Sequence, residues 1–323
     1  MRAGVQALSL LAVPNHVHTL QVLGDGPSSL VDLRRALGSP PQTTMRGHLR
    51  TLTQLGLIER HRSSRVPSSA SYEATSSGRD FLGLAAVVQN WLNMGPEGPL
   101  QLGSPASKSV IKSLVDGWSS ALLRALAARP LALTELDRLI TTLNYPSLER
   151  RLGGMRLAGL IEPCPESRRG RPYAVTSWLR LAIGPLAAAA HWERKQLPQI
   201  AAPPTRLDYE TMFLLAAPLV QLPDKPSGTC RLVIELQTST ASEFVGVELS
   251  VDQGRINSCT TRWSGPPESA ACGSSSAWLR ALVLNDPIGI EFSGDTSMGE
   301  SFVEGLHRRL FRSPETRRLL PRR

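Results

Sequence analysis

The chain contains the same segment twice. The stretch from Leu20 to Glu59 recurs without a gap at a shift of 103 residues, and from Tyr72 to Trp91 the match continues at a shift of 101 residues. Identical positions in the first copy include Leu20, Leu23, Pro27, Leu30, Leu33, Arg35, Leu49, Gly56, Leu57, Ile58, Glu59, Tyr72, Thr75, Arg79 and Trp91. The second copy is two residues shorter between Glu59 and Tyr72, where we expect a hairpin tip. A repeat of this length is a small domain rather than a solenoid unit, so the fold must accommodate one small domain twice.

Positive charge is concentrated in the repeats. Residues 1–200 hold 23 Lys and Arg against 13 Asp and Glu, a net charge of +10. Residues 201–305 hold 6 against 13, a net charge of −7, and residues 306–323 hold 7 against 1, a net charge of +6. Segregated basic charge is typical of a segment that binds a polyanion. The repeats are therefore predicted to bind nucleic acid, while the acidic part should avoid it.

The cysteines and the apolar segments indicate the compartment. Cysteines at positions 164, 230, 259 and 272 show neither a CxxC spacing nor a paired framework, which favours free thiols in a reducing environment. No apolar run reaches the roughly 20 residues that cross a bilayer. Pro14 and the absence of a small-residue cleavage site argue against a signal peptide. We therefore expect a cytoplasmic protein without a membrane partner.

Each copy has the pattern of three helices, a hairpin and a closing helix. Ser28 or Ser29 can cap the second helix, and apolar residues at helical spacing predict a third helix from Gln42 to Leu55. Gly56 ends that helix, two short strands flank a basic segment, and the last helix spans Gly78 to Trp91. This is the order of a winged helix, whose third helix enters the DNA major groove while its hairpin, the wing, contacts phosphates.

The predicted DNA contacts lie on the two third helices, opposite or flanking their apolar stripes, and on the two wings. Arginines suit phosphate oxygens or a narrow minor groove. For His48 a solvated polar role is the alternative, and the wing arginines could instead solubilise a loop. The predicted DNA-binding residues are Thr43, Thr44, Arg46, Gly47, His48, Arg50, Arg62, Arg65, Ser147, Arg150, Arg151, Arg168, Arg169 and Arg171.

The run from Leu49 to Arg60, followed by Val66-Pro67, Tyr72 to Thr75, Gly78 and Trp91, resembles the HxlR-type winged-helix transcriptional regulators, which are related to the MarR group. Taken over both copies, the resemblance covers about 180 residues. It implies DNA binding as a dimer through the last helix, so a tandem copy implies a pseudo-dimer within one chain, which could itself form a homodimer. Some members sense oxidants through an N-terminal cysteine, and neither copy has one.

An acidic α+β domain is predicted after a linker rich in Pro and Ala, from Gln196 to Thr205. Alternating apolar residues indicate strands, and we expect an antiparallel sheet with helices packed on it. The predicted helices are Leu207 to Leu222, Ser275 to Leu284 and Met298 to Phe311. The predicted strands are Thr229 to Gln237, Phe244 to Val251, Arg255 to Trp263 and Ile288 to Ser293.

Three phrases of this domain, residues 247–254, 276–282 and 292–295, resemble the sterol-carrier-protein type of lipid-binding fold. The resemblance implies an apolar tunnel between sheet and helices that holds a lipid-like or polycyclic molecule. An ordinary core is the alternative reading of the same residues. The predicted ligand-binding residues are Phe213, Leu214, Val247, Leu249, Trp263, Trp278, Leu282 and Phe302.

These observations predict two tandem winged helix-turn-helix domains, residues 1–95 and 104–196, followed by a sterol-carrier-like α+β domain, residues 205–312, and a basic tail, residues 313–323. The predicted function is a transcriptional regulator, such as a repressor, that binds double-stranded DNA and responds to an apolar small molecule. A lipid or metabolite carrier whose winged helices serve protein interaction is the alternative. No metal, cofactor or catalytic constellation is visible in the sequence, so we do not expect an enzyme.

Overall fold

The first copy of the repeat folds into helices and strands close to the predicted bounds. The computed structural model describes residues 3–62, 70–117, 120–165, 170–199, 201–237 and 242–311. The first unit consists of α1 (Val5–Leu11), α2 (Pro14–Gly24), β1 (Ser28–Ser29), α3 (Leu30–Ala36), α4 (Gln42–Gln54), β2 (Ile58–Arg62), β3 (Ala70–Ala74) and α5 (Ser76–Leu92). Met45, Leu49 and Leu52 of α4 are buried, so the apolar stripe of this helix faces the core.

The second copy repeats this order of elements. It consists of α6 (Pro105–Gly117), α7 (Ser120–Ala128), α8 (Leu133–Leu139), α9 (Tyr145–Leu157), β4 (Ile161–Pro163), β5 (Tyr173–Val175), α10 (Ser177–Leu181) and α11 (Ile183–Gln196). Here the closing helix is divided at Ala182. Pro185 explains the break, because its ring lacks an N–H and clashes with the carbonyl four residues earlier, that of Leu181. The first copy has Leu84 at this position and keeps one continuous helix.

Strand pairing follows the two shifts of the repeat. Ile58 pairs with Ala74 in the first hairpin and Ile161 pairs with Val175 in the second. A further contact, Ser28 with Tyr72, returns as the bridge between Leu131 and Tyr173. Since the first partner of each pair moves by 103 positions and the second by 101, the difference in length lies inside the hairpins.

A glycine and a threonine at equivalent repeat positions fix the end of α4 or α9 and the start of the closing helix in each unit. Gly56 and Gly159, which follow α4 and α9, have φ angles of 68° and 69°, a left-handed conformation that glycine adopts without strain. Thr75 and Thr176 cap the closing helices, and each hydroxyl also donates to the carbonyl oxygen of the corresponding glycine, at 2.6 and 3.0 Å. The turn after α4 or α9 is thereby bonded to the start of the closing helix of the same unit.

The closing helices of the two units pack against each other and run in opposite directions. Trp91 at the end of α5 stacks on Trp178 at the start of α10, with 4.8 Å between ring centroids. Each indole N–H donates to the other residue's carbonyl oxygen, at 3.0 and 2.9 Å. At the opposite end, Trp192 of α11 packs edge-on against Phe81 near the start of α5, at 4.9 Å. Because Trp91 and Trp192 are equivalent repeat positions, both units use the same closing tryptophan in this interface.

The C-terminal domain is an α+β unit with a five-stranded sheet. Its elements are α12 (Arg206–Ala216), a 3-10 helix (Ala217–Leu219), β6 (Gly228–Gln237), β7 (Ser242–Asp252), β8 (Arg255–Thr260), β9 (Ser269–Ser274), α13 (Ser275–Leu284), β10 (Ile290–Gly294) and α14 (Thr296–Phe311). The strand order is β10-β9-β6-β7-β8. The prediction of a purely antiparallel sheet was wrong, because β9 lies parallel to β6. Its small residues gave no strand pattern in the sequence.

The C-terminal domain docks on the second unit. The Ser120 hydroxyl on α7 donates to Asp208 on α12, and Arg124 forms an ion pair with the buried Glu210, with 3.2 Å between Nε and Oε2. The guanidinium of Arg180 on α10 donates to the carbonyl oxygens of Leu214 and Leu215, at 3.2 and 3.1 Å. These bonds satisfy carbonyls at the end of α12.

Among the residues that the structure describes, the docking contact at Arg180 has no counterpart in the first unit. The repeat equivalent of Arg180 is Arg79, whose side chain is exposed. The two copies therefore differ in what covers the start of their closing helices. The third domain docks through this contact on the second unit.

Candidate nucleic-acid interface

The outer face of α4 is polar, basic and open to solvent. Thr43, Thr44, Arg46 and Arg50 are exposed. The two arginines are four residues apart and so lie on one face of the helix. Neither forms an ion pair with any residue that the structure describes. Pro41 provides no side-chain cap at the start of α4, so the free backbone N–H groups of its first turn can also bind a phosphate.

The corresponding face of α9 is built differently. Arg150, equivalent to Gly47 in the first unit, is exposed, while Ser147 is half-buried and its backbone N–H donates to the Asn144 side chain, at 3.0 Å. Pro146 removes a further N–H from the first turn. The first turn of α9 thus has fewer free N–H groups for a phosphate than that of α4, and Arg150 is its exposed cation.

Tyr145, the first residue of α9, is an exposed aromatic that the sequence analysis did not select. Its side chain is 42 % exposed, and its repeat equivalent is the exposed Gln42. Both therefore lie beside the predicted DNA-facing residues. Comparison of the two copies position by position could have found them, because a glutamine at the equivalent position indicates an exposed site.

Two predicted contacts are directed towards the protein. His48 lies against α2, where its Nδ1 is 3.2 Å from His16 Nε2 and its Nε2 is 3.3 Å from Asn15 Nδ2. Its repeat equivalent, Arg151, donates from Nη1 to the carbonyl oxygen of Asp116, at 2.6 Å. In both units this position of the third helix bonds to an earlier helix, α2 in the first unit and α6 in the second, so we leave these two residues out of the DNA-facing set.

The wings are described only in part. Arg171 is exposed, close to the second wing, and Arg62 is the last residue of β2. The predicted contacts Arg65, Arg168 and Arg169 lie outside the residues that the structure describes.

The histidine pair beneath α4 makes the stability of the first unit depend on pH. Burial, and secondly the neighbouring His48, lower the pKa of His16 from 6.5 to about 4. Because the folded state disfavours the protonated form, the stabilisation is complete above about pH 6.5 and is lost as pH falls to about 4.

We expect the unfolding free energy to fall by about 3 kcal/mol more between about pH 7 and pH 4 in the parent chain than in a His16→Gln variant. Urea denaturation at both pH values measures this difference. Equal losses in the two proteins would contradict the prediction, because a constant offset between them reflects only the loss of packing.

Most of the predicted ligand-binding residues are buried in the core. Seven of them are buried, namely Phe213, Leu214, Val247, Leu249, Trp278, Leu282 and Phe302. Trp278 packs edge-on against Phe213, with 5.0 Å between ring centroids. Trp263 is instead 41 % exposed, with the Arg231 guanidinium 4.8 Å from its ring centroid.

The three clefts described in the structure lie elsewhere. One, of about 230 Å³, lies between residues 95–100, α6 and the C-terminal end of α9. Another, of about 60 Å³, lies where α5, α11 and α13 meet. A third, of about 10 Å³, lies between α11, α12 and α13. None is lined by the eight predicted residues, so the predicted tunnel has no counterpart among these clefts.

A known protein family matches the first unit. Residues 16–97 match the family described as HxlR-like helix-turn-helix, a segment that runs from α2 to just beyond α5. No match to the chain is found among curated proteins. The first unit is thus similar to the helix-turn-helix of a transcription regulator family, as the resemblance in the sequence predicted. No helix in the described ranges is long and apolar enough to cross a membrane.

Proposed function

We propose that the protein is a DNA-binding transcriptional regulator that recognises two non-identical half-sites with α4 and α9. One observation carries the proposal: in the unit that matches a helix-turn-helix family, the outer face of α4 presents Arg46 and Arg50 to solvent without an acidic partner among the described residues. An unpaired basic face on the third helix suits a duplex, because such a helix enters the major groove.

The second unit is proposed to be a further winged helix. Its elements follow the same order, and α9 spans the positions of α4 at the shift of the repeat. The outer residues of the two helices differ in charge placement and in the capping of the first turn. We therefore propose that the two half-sites differ in sequence.

The antiparallel packing of α5 on α11 supports an arrangement of the two units as an intrachain pseudo-dimer. Dimeric helix-turn-helix proteins bind half-sites about one helical turn apart, at 10–10.5 base pairs. The reciprocal bonds between Trp91 and Trp178 fix the relative position of the closing helices. A fixed separation of this kind is what defined half-site spacing requires.

The C-terminal domain is proposed to make DNA affinity depend on an apolar small molecule. Its attachment to α7 and α10 means that a shift of this domain moves the second unit. A ligand changes DNA affinity only if it binds the DNA-competent and incompetent arrangements with different strength. Ion pairs and hydrogen bonds at the docking surface, such as Arg124 with Glu210, are the contacts that two arrangements would exchange.

A salt titration of duplex binding tests the proposal. If Arg46, Arg50, Arg150 and Arg171 each neutralise one phosphate, affinity falls about 10²-fold between about 50 and 200 mM salt. Fluorescence anisotropy with a mixed-sequence duplex measures this. Absence of binding at low salt, or affinity that is independent of salt, would leave the carrier alternative as the better explanation.

Selection from a random duplex pool tests the two half-sites. We expect an enriched site with two different half-sites whose centres are about 10 base pairs apart. A palindromic consensus would contradict the proposal that α4 and α9 read different sequences, and it would point to two chains using one unit each.

A further inference from the structure

The largest of the three clefts, of about 230 Å³, lies where the chain passes from the first unit to the second. One wall is the segment 95–100, which follows α5, and the other consists of α6 and the C-terminal end of α9. The buried Trp178, which stacks on Trp91, also lines it. A molecule in this cleft would therefore contact both α9 and the connection between the units.

The second unit has apolar residues at this cleft where the first unit has polar ones. Leu157, at the end of α9, is 82 % exposed, more than any other large apolar side chain that the structure describes. Its repeat equivalent is Gln54, and the equivalent of Trp178 is Ser77, so the fold of a unit does not require apolar residues at these positions. The other apolar residues of the wall are Pro96, Leu100, Ala106, Val110 and Ala158. A continuous apolar wall with an exposed leucine is typical of a contact site.

The polar side chains of the cleft are hydrogen-bond acceptors. Glu97 and Ser109 line it and are exposed, and within the described ranges neither forms an ion pair or a hydrogen bond through its side chain. Glu97 is the one charged residue of the lining, while Lys108 and Lys112 of α6 are exposed but do not line the cleft. A carboxylate beside a hydroxyl favours a positively charged donor, since a carboxylate accepts hydrogen bonds and an ammonium group only donates them.

We propose that this cleft binds a small apolar amine. Its hydrocarbon part lies against Leu157, Leu100 and Val110, and its ammonium group donates to the Glu97 carboxylate and to the Ser109 hydroxyl oxygen. The cleft is somewhat smaller than the pockets of about 300–1,000 Å³ that hold drug-sized ligands, so a ligand of one or two rings fits its size. The inference goes beyond the proposed function, because this binding requires neither DNA nor the C-terminal domain.

The other two clefts lack an open acceptor of this kind. In the cleft of about 60 Å³, the carboxylate of Asp80 is already paired with Lys195, with 2.7 Å between Oδ2 and Nζ. In the cleft of about 10 Å³, Asp208 accepts from the Ser120 hydroxyl, and the space holds a single water at most.

Isothermal titration calorimetry of the full chain with three indole compounds tests the charge preference. Tryptamine is a cation at neutral pH, 3-methylindole is neutral and indole-3-propionate is an anion. We expect affinity to fall in this order, by about 3-fold at each step, the size of an exposed charge interaction. Absence of tryptamine binding, or an affinity for tryptamine no higher than that for indole-3-propionate, would overturn the inference. The titration contains no DNA, so its outcome is independent of duplex binding.

Two substitutions locate the site. Leu157→Gln, which introduces the residue of the first unit, is expected to weaken tryptamine binding by about 10-fold, because the ligand no longer covers an apolar side chain. Glu97→Gln should abolish the preference for tryptamine over 3-methylindole and leave the affinity for 3-methylindole unchanged. Tryptamine affinity equal to that of the parent in Leu157→Gln, or a charge preference that survives Glu97→Gln, would also overturn the inference.

Each substitution has a matched control outside the cleft. Leu139→Gln replaces another exposed leucine, at the end of α8, and Glu149→Gln replaces another exposed carboxylate, on α9. Neither residue lines the cleft, so both variants should bind the three compounds as the parent does. Because all four side chains are exposed, the four variants should unfold at the same urea concentration as the parent. If the controls lose tryptamine affinity to the same extent as Leu157→Gln and Glu97→Gln, the amine binds elsewhere on the chain and the inference fails.

Discussion

Replacing Arg46, Arg50 and Arg150 together by alanine is expected to weaken binding to a selected duplex by about 10³-fold, since each arginine at a groove contributes about 1–3 kcal/mol. The three side chains are exposed, so their removal leaves the cores of both units intact. The slope of log affinity against log salt should become less negative by about 3 if each contacts a phosphate. Anisotropy titrations at several salt concentrations measure both quantities.

A second triple variant, Arg255→Ala, Arg262→Ala and Arg309→Ala, controls for net charge. These arginines are exposed on the C-terminal domain, and their loss changes the total charge by the same amount. We expect little change in affinity and slope. Equal losses for the two triple variants would show that the chain binds DNA through charge alone and not through α4 and α9.

Replacing Trp91 by alanine is expected to lower the unfolding free energy by about 3–5 kcal/mol, the range for a buried large aromatic residue. The substitution removes the ring that stacks on Trp178 and the hydrogen bond to its carbonyl oxygen. Urea denaturation followed by circular dichroism measures the loss. A value below about 1 kcal/mol would mean that the two units do not depend on this contact.

Trp263→Ala is the matched control for this variant. Its ring is partly exposed and contacts Arg231, so a smaller loss is expected. The double variant of Trp91 and Trp178 isolates the stacking interaction, for which a coupling of about 0.5–1.5 kcal/mol is expected. Additive losses would assign the effect to cavities within each unit.

The repeat allowed the helices and the hairpin of the first unit to be predicted from the sequence. Two shifts, 103 and 101, predicted where the hairpin tip lies. The pairing agrees, because Ile58 and Ala74 are 16 residues apart whereas the equivalent Ile161 and Val175 are 14 residues apart. The stripe of Met45, Leu49 and Leu52 predicted which side of α4 is buried. Local periodicity therefore predicted both the helix and its outer arginines.

Contacts between distant segments were beyond the sequence. His48 and Arg151 lie on the flanks of their helices, where spacing alone does not decide between solvent and the neighbouring helix. β9 consists of small residues, and its parallel partner β6 is about 40 residues away, so no local pattern marks it. Burial patterns identify a core without showing whether it encloses a tunnel, so the ligand-binding residues stay a prediction.

Arg79 and Arg180 occupy the same position in the two copies, yet only Arg180 binds the end of α12. A symmetric dimer has the same contacts and shape when its operator is inverted, because its two subunits are related by a two-fold axis. This chain lacks that symmetry, because the hydrogen bonds and the ion pair that dock its third domain come from the second unit. Inverting the operator relative to a promoter should therefore move that domain from the promoter-proximal to the promoter-distal half-site, or the reverse. The effect on transcription should then depend on the orientation of the operator.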